Sequence, residues 1–263
     1  MIRLAVAGAL GRMGRCVLEC ALRDPNFTIV AGYVTYADLK KHQVLRIGEH
    51  EVPLCDTWIG SCDVLIDFTV GDGTLVWLPI CERERVPMVI GATGHDAAGL
   101  AQIHEAAKRI AIVKDSNFSL GIAVVRGILG EVARRLGTGY DVEIVETHHR
   151  GKVDAPSGTA LMLADEVVRA VGTPFPENEH RMVHGRRGQT GSRPAGQIGI
   201  HAVRMGEVVG QHEVHFSGAG ETITLRHTAH LRETFAMGAL RAARWIVGQS
   251  PGIFTMGDVV VVG

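Results

Sequence analysis

The sequence of 263 residues is 46% hydrophobic and 21% charged, and it carries a formal net charge of -1 at pH 7. This length and composition predict a globular protein that buries a substantial core in one large domain or two smaller ones. Because acidic and basic residues nearly balance, the composition argues against a protein that binds nucleic acid through a broad basic surface. The sequence contains no run of about 18 apolar residues, the length that would cross a membrane.

Cysteine usage and the opening residues indicate the compartment. Five cysteines lie in the first third of the sequence without the C-x-x-C spacing of a zinc or redox site, namely Cys16, Cys20, Cys55, Cys62 and Cys81. Such thiols are typical of a reducing compartment. The opening stretch "IRLAVAGALGRMG" has an apolar run too short, and too interrupted by glycine, for a signal peptide. We therefore expect a cytoplasmic protein.

In the first half of the chain, short apolar runs alternate with helical patterns. We predict strands at 2–8, 27–34, 63–68, 87–92 and 110–115, and helices at 11–24, 72–85 and 96–109. Met13, Val17, Leu18 and Leu22, for example, recur at helical spacing. Alternation of strand and helix predicts a parallel sheet with right-handed crossovers and helices on both faces.

The pattern changes after about residue 118. We predict a helix at 119–137, a strand at 140–148, a helix near 157–172, a glycine-rich mobile loop at 185–197 and a last helix at 233–249. Between them, residues 199–229 alternate with period two and turn at "MGE" and "GAG", which predicts an antiparallel meander. The sequence thus predicts an α/β protein, with a parallel-sheet domain of the nucleotide-binding type and a second α/β domain with a mixed or antiparallel sheet.

The stretch "VAGALGRMG" places Gly8, Gly11 and Gly14 between the first strand and the first helix. A dinucleotide diphosphate needs close approach of the backbone and the positive end of a helix, and a Cβ at the turn would collide with it. The spacing is G-x-x-G-x-x-G, with Leu10 where the common fingerprint has its second glycine. Helix packing alone accounts for such glycines too, but the strand–helix alternation favours nucleotide binding.

The end of the second strand bears on the choice of nucleotide. An acid there would bind the adenine ribose, but residues 34–36 are Val, Thr and Tyr, and Asp38 comes late. Lysines follow at 40–41, and these or Arg12 could meet a 2′-phosphate. The pattern favours NADP slightly over NAD, and a merely solvated lysine loop stays the alternative.

The stretch "ETHHRGKVDAPSGTA" (146–160) concentrates titratable and cationic side chains at the end of a predicted strand. His148 and His149 could converge on one ligand only if the chain bends at the following "RG", because neighbouring strand residues face opposite ways. A metal site would need more ligands than Asp154 adds. A nucleophilic role for Ser157 is not supported, because the G-x-S-x-G elbow is missing.

The end of the same stretch, near residue 157, also predicts the start of a helix. Pro156 would end the preceding segment, and the N–H groups of Ser157, Gly158 and Thr159 would face outward at a positive helix terminus as a carboxylate cradle. Lys152 and the histidines would add charge and a titratable proton. Cationic recognition with an acid suits reduction of an anionic unsaturated substrate by a nucleotide hydride, although a basic surface cluster is the alternative.

These motifs identify a resemblance that runs nearly from end to end. "VAGALGRMG", "DVLIDFT", "VIGATG", "SNFSLG", "ETHHRGKVDAPSGTA", "RMGEVVGQHEVHF", "GETITLRHTAHLRETFAMGALRAARW" and "PGIFTMGDVV" resemble the 4-hydroxy-tetrahydrodipicolinate reductase (dihydrodipicolinate reductase) family of the diaminopimelate–lysine pathway. The histidine–lysine stretch is the specific part of the match, and the glycine turn is not.

The resemblance implies cofactor contacts in the first domain. In the family, the glycine turn holds the diphosphate, the loop that is here "GATG" contacts the nicotinamide side, and the stretch before the second domain touches the cofactor and acts as a hinge. The corresponding residues are Gly8, Ala9, Leu10, Gly11, Arg12 and Met13, then Gly91, Ala92, Thr93 and Gly94, then Asp115, Ser116, Asn117 and Phe118.

The resemblance also implies the chemistry of the second domain. His148 and Lys152 correspond to the proposed proton donors, and His149, Gly158 and Thr159 to the residues that bind the substrate carboxylate. Ser157 joins this substrate-binding group through the predicted cradle. This sequence departs from the family at two positions. Val34 stands where the NADH-type members carry an acidic residue, and Ala92 stands where the family usually has a threonine.

The implied architecture is a Rossmann domain formed by residues 1–118 and 229–263, and a domain for substrate binding and oligomerisation at 119–228, through which four subunits associate. The implied activity is reduction of 4-hydroxy-tetrahydrodipicolinate to tetrahydrodipicolinate with NADPH or NADH and without a metal. A dinucleotide-binding sensor, or an amino-acid dehydrogenase that shares only the first domain, is the alternative. Lys152 beside the cradle argues against both.

Overall fold

The computed structural model describes residues 1–172 and 182–261. Residues 173–181 and 262–263, which the predicted domain ranges include, lie outside this description. Within the described ranges, no helix is both long and apolar enough to span a lipid bilayer.

The chain divides into two compact units. Unit 1 consists of Met1–Leu120 with Arg232–Gly263, and unit 2 consists of Gly121–Leu231. The boundaries therefore lie at 120/121 and 231/232, where the sequence predicts 118/119 and 228/229. Unit 1 is thus assembled from two segments that are far apart in the sequence.

Unit 1 is built on one eight-stranded sheet. Its strands are β1 (Ile2–Ala7), β2 (Phe27–Tyr33), β3 (Val44–Ile47), β4 (His50–Cys55), β5 (Val64–Asp67), β6 (Met88–Ile90), β7 (Ala111–Lys114) and β13 (Gly252–Phe254). Their order is β13-β7-β6-β5-β1-β2-β4-β3, and all neighbours are parallel except β3 and β4. The predicted parallel sheet is confirmed. The β3–β4 hairpin and β13 were not predicted, since these strands are only partly buried and leave no continuous apolar run.

The helices of unit 1 follow the predicted alternation. They are α1 (Arg12–Leu22), α2 (Tyr36–Leu39), α3 (Gly71–Glu84), α4 (Ala97–Ala106), α7 (Glu233–Ile246) and α8 (Met256–Val261). The four longer helices were predicted, and α2 and α8 were not. Short helices leave little periodicity to read in a sequence.

Burial in unit 1 matches the apolar runs. Residues 4–7 of β1 and 64–67 of β5 are fully buried, as expected for parallel strands covered on both faces. In α7, a Cβ on Gly238 would lie 1.7 Å from the carbonyl oxygen of Phe118. The glycine therefore lets α7 rest directly on the backbone that follows β7.

Unit 2 has a five-stranded mixed sheet and two long helices. Its strands are β8 (Asp141–His148), β9 (Met182–Val183), β10 (Ile198–Arg204), β11 (Gly210–Ser217) and β12 (Thr222–Ala229), and its helices are α5 (Leu120–Leu136), a single 3₁₀ turn (Gly137–Gly139) and α6 (Gly158–Val171). The strand order is β12-β11-β8-β10-β9. The mixed sheet of the prediction is confirmed.

The predicted antiparallel meander at 199–229 is wrong for its first strand. β10 pairs in parallel with β8, whereas β11 pairs antiparallel with both β8 and β12. Only β11 and β12 form the predicted hairpin. Period-two alternation records which face each side chain occupies, but it carries no information about the partner strand.

The central strand of unit 2 changes character along its length. Val142 and Ile144 pack in the core formed with α5 and α6. Glu146 and His148 continue the same face, because alternate residues of a strand share a face, and they are buried as well. The apolar face of β8 thus becomes a buried polar cluster at its carboxyl end.

Candidate functional site

The turn between β1 and α1 leaves no room for side chains. Gly8 has a φ of +77°, and a Cβ there would lie 2.8 Å from the carbonyl oxygen of Phe68. A Cβ on Gly14 would lie 2.1 Å from the carbonyl oxygen of Gly8. Gly11 precedes α1 and provides no capping side chain, so the first N–H groups of the helix point toward whatever binds at its amino end. This geometry fits a diphosphate.

A cleft of about 420 Å³ lies at the carboxyl ends of β1, β2 and β5. Its lining comprises Gly8, Leu10, Gly11, Tyr33, Val34, Thr35, Tyr36, Asp38, Asp56, Thr69, Val70, Gly73, Val76 and Trp77. Open parallel sheets bind nucleotides outside the carboxyl ends of their strands. Of the other predicted diphosphate residues, Ala9 is fully buried, and Arg12 and Met13 form the first turn of α1.

An aromatic stack backs the cleft beyond β2. The Tyr33 ring stacks on Trp77, with ring centroids 4.2 Å apart, and on Trp58, at 5.7 Å. The Thr35 hydroxyl donates a hydrogen bond to the Asp38 carboxylate at 2.7 Å. The sequence missed Trp77, because only the fold brings α3 beside β2.

The other residues predicted to contact the cofactor do not line this cleft. The Phe68 ring fills the space beside Gly91, where a Cβ would lie 2.3 Å from a ring carbon. Phe118 is buried and packs edge-on against Phe68. The Asp115 carboxylate accepts hydrogen bonds from the N–H groups of Ser116 and Met256, at 2.8 and 3.1 Å. Cofactor roles for residues 91–93 and 115–118 therefore stay predictions.

A buried carboxylate lies at the end of β8 in unit 2. Glu146 is 0% exposed and accepts hydrogen bonds from His148 Nδ1 at 2.5 Å, Ser157 N–H at 3.0 Å, and Arg204 Nη1 and Nη2 at 2.8 and 2.7 Å. Arg204 ends β10, and Ser157 directly precedes α6. One carboxylate thus joins two strands and the start of a helix.

The environment of Glu146 and His148 determines their protonation states. Burial raises the pKa of Glu146, but hydrogen bonds from Arg204 and His148 outweigh it, and the pKa lies below its usual value. For His148, burial lowers the pKa more than the bond to Glu146 raises it. Near neutral pH, the pair is therefore a carboxylate beside a largely neutral imidazole.

A second buried histidine stands against the first. The ring of His212, on β11, packs edge-to-face with that of His148 at a centroid distance of 5.2 Å. Its Nε2 lies 3.0 Å from Ser157 Oγ, and its Nδ1 has no hydrogen-bond partner among the residues described. Burial first, and then the neighbouring His148, lowers the pKa of His212 to about 3. His212 is therefore uncharged near neutrality.

Lys152 lies in the loop between β8 and α6. Its ammonium is 2.8 Å from both carboxylate oxygens of Asp154. Burial raises the pKa of Asp154, but the bond from Lys152 outweighs it and the pKa lies below its usual value. Arg204 Nη2 also donates to the carbonyl oxygen of Asp154 at 2.7 Å. The same arginine thus contacts both the Glu146 carboxylate and the loop that carries Lys152.

The predicted carboxylate cradle at the start of α6 is wrong for the Ser157 N–H group. That N–H donates to Glu146, and Ser157 Oγ accepts from the Ala160 N–H at 3.2 Å, so both polar groups of Ser157 serve the protein itself. A buried carboxylate requires such donors. Beside Gly158 the space is open, since a Cβ there would meet nothing within 4 Å. Gly158 and Thr159 stay the predicted substrate contacts.

Sequence reasoning overlooked three members of this cluster. Glu146 opens the quoted stretch, and its i,i+2 spacing from His148 was a usable signal. Arg204 and His212 join the site only through strand pairing, opposite His148 on β10 and beside Glu146 on β11. Across residues 1–172 and 182–261, no group of three or more His, Cys, Asp or Glu is arranged to hold a metal ion.

Comparison with known sequence families gives two matches along the chain. The family described as "Dihydrodipicolinate reductase, N-terminus" matches residues 2–118, and "Dihydrodipicolinate reductase, C-terminus" matches residues 121–260. The two matches adjoin near the boundary between units 1 and 2.

Individual relatives and a solved structure agree with these matches. The chain is 40% identical to the 4-hydroxy-tetrahydrodipicolinate reductase of Myxococcus xanthus, with 99% of this chain and 98% of the relative covered. It is 43% identical to that of Laribacter hongkongensis, with 98% of each covered. A dipicolinate-bound dihydrodipicolinate reductase from Paenisporosarcina sp. TG-14 superposes with a TM-score of 0.75 at 26% identity, covering 97% of both chains.

The low pKa of His212 predicts a pH dependence of stability. Because an unfolded histidine titrates near 6.5 and the folded His212 near 3, acidification protonates the unfolded chain first and favours it. This contribution is complete above about pH 6.5 and declines below it, by about 1.4 kcal/mol between pH 7.5 and 5.5. His212→Gln should remove that share of the decline.

Urea unfolding at pH 7.5 and 5.5, at one protein concentration, measures this difference. His104→Gln, at an exposed histidine of α4, is the matched control and should keep the wild-type dependence. Equal pH dependence in His212→Gln and wild type would contradict the assignment.

Proposed function

Because the chain belongs to the dihydrodipicolinate reductase family, we propose that it reduces 4-hydroxy-tetrahydrodipicolinate to tetrahydrodipicolinate with NAD(P)H, in diaminopimelate and lysine biosynthesis. The overall reaction consumes one hydride and one proton and releases water. The observation that carries the proposal is the gathering of His148 and Lys152 at the end of β8, beside the first turn of α6. A cyclic dicarboxylate needs such cations and N–H groups, and its reduction needs an acid.

Unit 1 would hold the nucleotide. The diphosphate would lie against Gly8 and Gly11, with the amino end of α1 directed at its charge. The adenosine would occupy the cleft near Tyr33 and Trp77. When bound, the nicotinamide supplies the hydride.

The cleft supports NADPH as the preferred nucleotide, with NADH also accepted. Val34 places an apolar side chain where a carboxylate would bind the ribose hydroxyls, and the nearby Asp38 carboxylate already accepts from Thr35. Lys40 lies 4.4 Å from the centroid of the Tyr36 ring. A 2′-phosphate gains from such a cation and loses from a carboxylate.

Unit 2 would bind the substrate. The N–H groups at the start of α6, at Gly158 and Thr159, would hold one carboxylate, aided by the positive end of the helix. His149 is partly exposed and Lys152 is close by in the chain, so both would add positive charge. Ser157 would act indirectly, by fixing this turn through its bonds to Glu146 and His212.

His148 and Lys152 are the candidates for the proton donor. Both are ionisable, and they lie four residues apart around one bend. Asp154 would hold the Lys152 ammonium in place between turnovers.

The surroundings of the reaction follow from the same proposal. The described cysteines are free thiols, which suits a cytoplasmic enzyme.

We assign nucleotide binding to unit 1, and substrate binding and assembly to unit 2. In unit 2, the sheet face opposite α5 and α6 carries Val145, His201 and Val203 in neighbouring positions. This face would join four chains.

The proposed reaction predicts nucleotide oxidation. Given the condensation product of pyruvate and aspartate semialdehyde, the purified protein should oxidise NADPH and NADH, with the lower KM for NADPH. Loss of absorbance at 340 nm, compared with a reaction that lacks the substrate, is the measurement. Oxidation of neither nucleotide would contradict the function, and a lower KM for NADH would contradict only the preference.

The proposed role of Lys152 predicts that removing its side chain lowers turnover. Lys152→Ala should lower kcat by about 10²–10⁴, the usual contribution of a positioned acid, with the KM for the nucleotide unchanged. Lys108→Ala removes another acid-paired lysine, which is exposed on unit 1, and should behave as wild type. Unchanged kcat in Lys152→Ala would remove the assigned role.

The proposed assembly predicts the mass in solution. Light scattering should give about four times the 28.2 kDa of one chain. Val203→Arg, which places a charge on the sheet face opposite α5 and α6, should give smaller species. A wild-type mass of one or two chains would contradict the tetramer.

A further inference from the structure

Resting on the proposed function, we propose that Glu146 is a positioning residue that keeps the His148 proton on Nδ1 and ties that ring to the first turn of α6. Glu146 does not itself reach the substrate in this proposal. It fixes which nitrogen of His148 takes part in proton transfer, and where that nitrogen lies relative to the substrate-binding turn.

The hydrogen bonds of the carboxylate determine the tautomer. All four partners of Glu146 approach it as donors, and three of them, the Ser157 N–H and the two Arg204 groups, cannot act in any other way. An ionised carboxylate only accepts, so the 2.5 Å contact with His148 Nδ1 requires a proton on that nitrogen. In the neutral ring, Nε2 is therefore the bare nitrogen.

The other edge of the His148 ring carries Nε2, and the side chain is 11% exposed. A Cβ on residue 210 would lie 3.2 Å from Nε2, which is tighter than ordinary contact, so glycine at that position avoids crowding the nitrogen. His212, which contacts the ring edge-to-face, is neutral and adds no charge there. Nε2 is thus the nitrogen that can exchange a proton with a ligand.

The same contacts form a closed circuit. Glu146 holds His148, the His148 ring packs on His212, His212 Nε2 meets Ser157 Oγ, and the Ser157 N–H returns to Glu146. Ser157 is the residue before Gly158 and Thr159. A displacement of this turn would therefore disturb the carboxylate that orients His148, so the circuit couples substrate binding to the proton donor.

A purely structural role is the competing explanation, because the Glu146–Arg204 pair is buried and would help to hold β8 and β10 together whatever His148 does. The two explanations differ in what they predict for the imidazole. A structural role concerns stability alone, whereas a positioning role fixes the tautomer and the pH profile.

Glu146→Gln separates the two explanations. The carboxamide keeps the shape but must turn its NH₂ toward some of the former donors. Of those donors only His148 can become an acceptor, by moving its proton to Nε2. We expect the NH₂ to face His148 and the neutral tautomer to switch. Loss of the negative charge should also move the His148 limb of the kcat–pH profile to lower pH.

The experiment measures both the tautomer and the activity. Imidazole ¹⁵N shifts of protein labelled at histidine, at pH 8, should show Nδ1–H for His148 in wild type and Nε2–H in Glu146→Gln; the resonance is identified by its loss in His148→Gln. We expect kcat to fall on the order of 10²-fold or more, as when a histidine loses its orienting carboxylate, with the nucleotide KM unchanged.

Glu166→Gln is the matched control. Glu166 lies on α6, is mostly buried and is paired with Arg126 and Arg169, so its variant also loses an arginine-bound carboxylate in unit 2. It should keep the His148 tautomer, kcat and pH profile of wild type. If Glu166→Gln changed these as Glu146→Gln does, the effect would be general and the proposal would be overturned.

Each remaining outcome also decides the question. A folded Glu146→Gln with wild-type kcat and tautomer overturns the proposal. If that variant does not fold, the wild-type spectrum still decides, since an Nε2–H tautomer there overturns it and Nδ1–H supports it. A wild type that oxidises no nucleotide contradicts the proposed function, while the tautomer remains measurable and is judged separately.

Discussion

The site in unit 2 depends on the hydrogen-bond donors that one buried carboxylate, Glu146, requires. A carboxylate with no exposed surface is costly unless every lone pair is engaged, and Glu146 meets this need with side chains and backbone from β8, β10 and the start of α6. Its hydrogen-bond partners include groups to which we assign the proposed chemistry: an imidazole, an arginine that also reaches the lysine loop, and the first turn of a helix. In the role that we propose for Glu146, the contacts that stabilise the cluster are also the contacts that orient the reacting groups.

In both units, glycine residues determine how closely other parts of the chain approach the backbone. In unit 1, glycines at 8 and 14 let stretches of main chain come closer than any Cβ would permit. The diphosphate that we propose at this turn would need such an approach of the backbone. In unit 2, a Cβ on residue 158 would meet nothing within 4 Å, whereas a Cβ on residue 210 would lie 3.2 Å from His148 Nε2.

Sequence periodicity predicted most of unit 1, because parallel strands and amphipathic helices each leave a regular apolar pattern. It failed at β3, β4 and β13, which are only partly buried. It also misassigned β10, because alternation fixes which face a side chain occupies but not which strand is the neighbour. At the site, His148 and Lys152 stood out because unusual residues crowd one stretch of chain. Arg204 and His212 reach the same cluster from more than fifty residues away, and only the pairing of β8 with both β10 and β11 reveals them.

The division of unit 1 into two segments has a consequence for synthesis on the ribosome. Strand β13, which pairs with β7, is translated only after the whole of unit 2 has emerged. Until then, the nascent sheet ends in a bare strand whose amide and carbonyl groups are open to pairing with other chains. Unit 2 can meanwhile fold as a continuous insertion. The nascent chain is therefore most prone to self-association before β13 has been synthesised and has paired with β7.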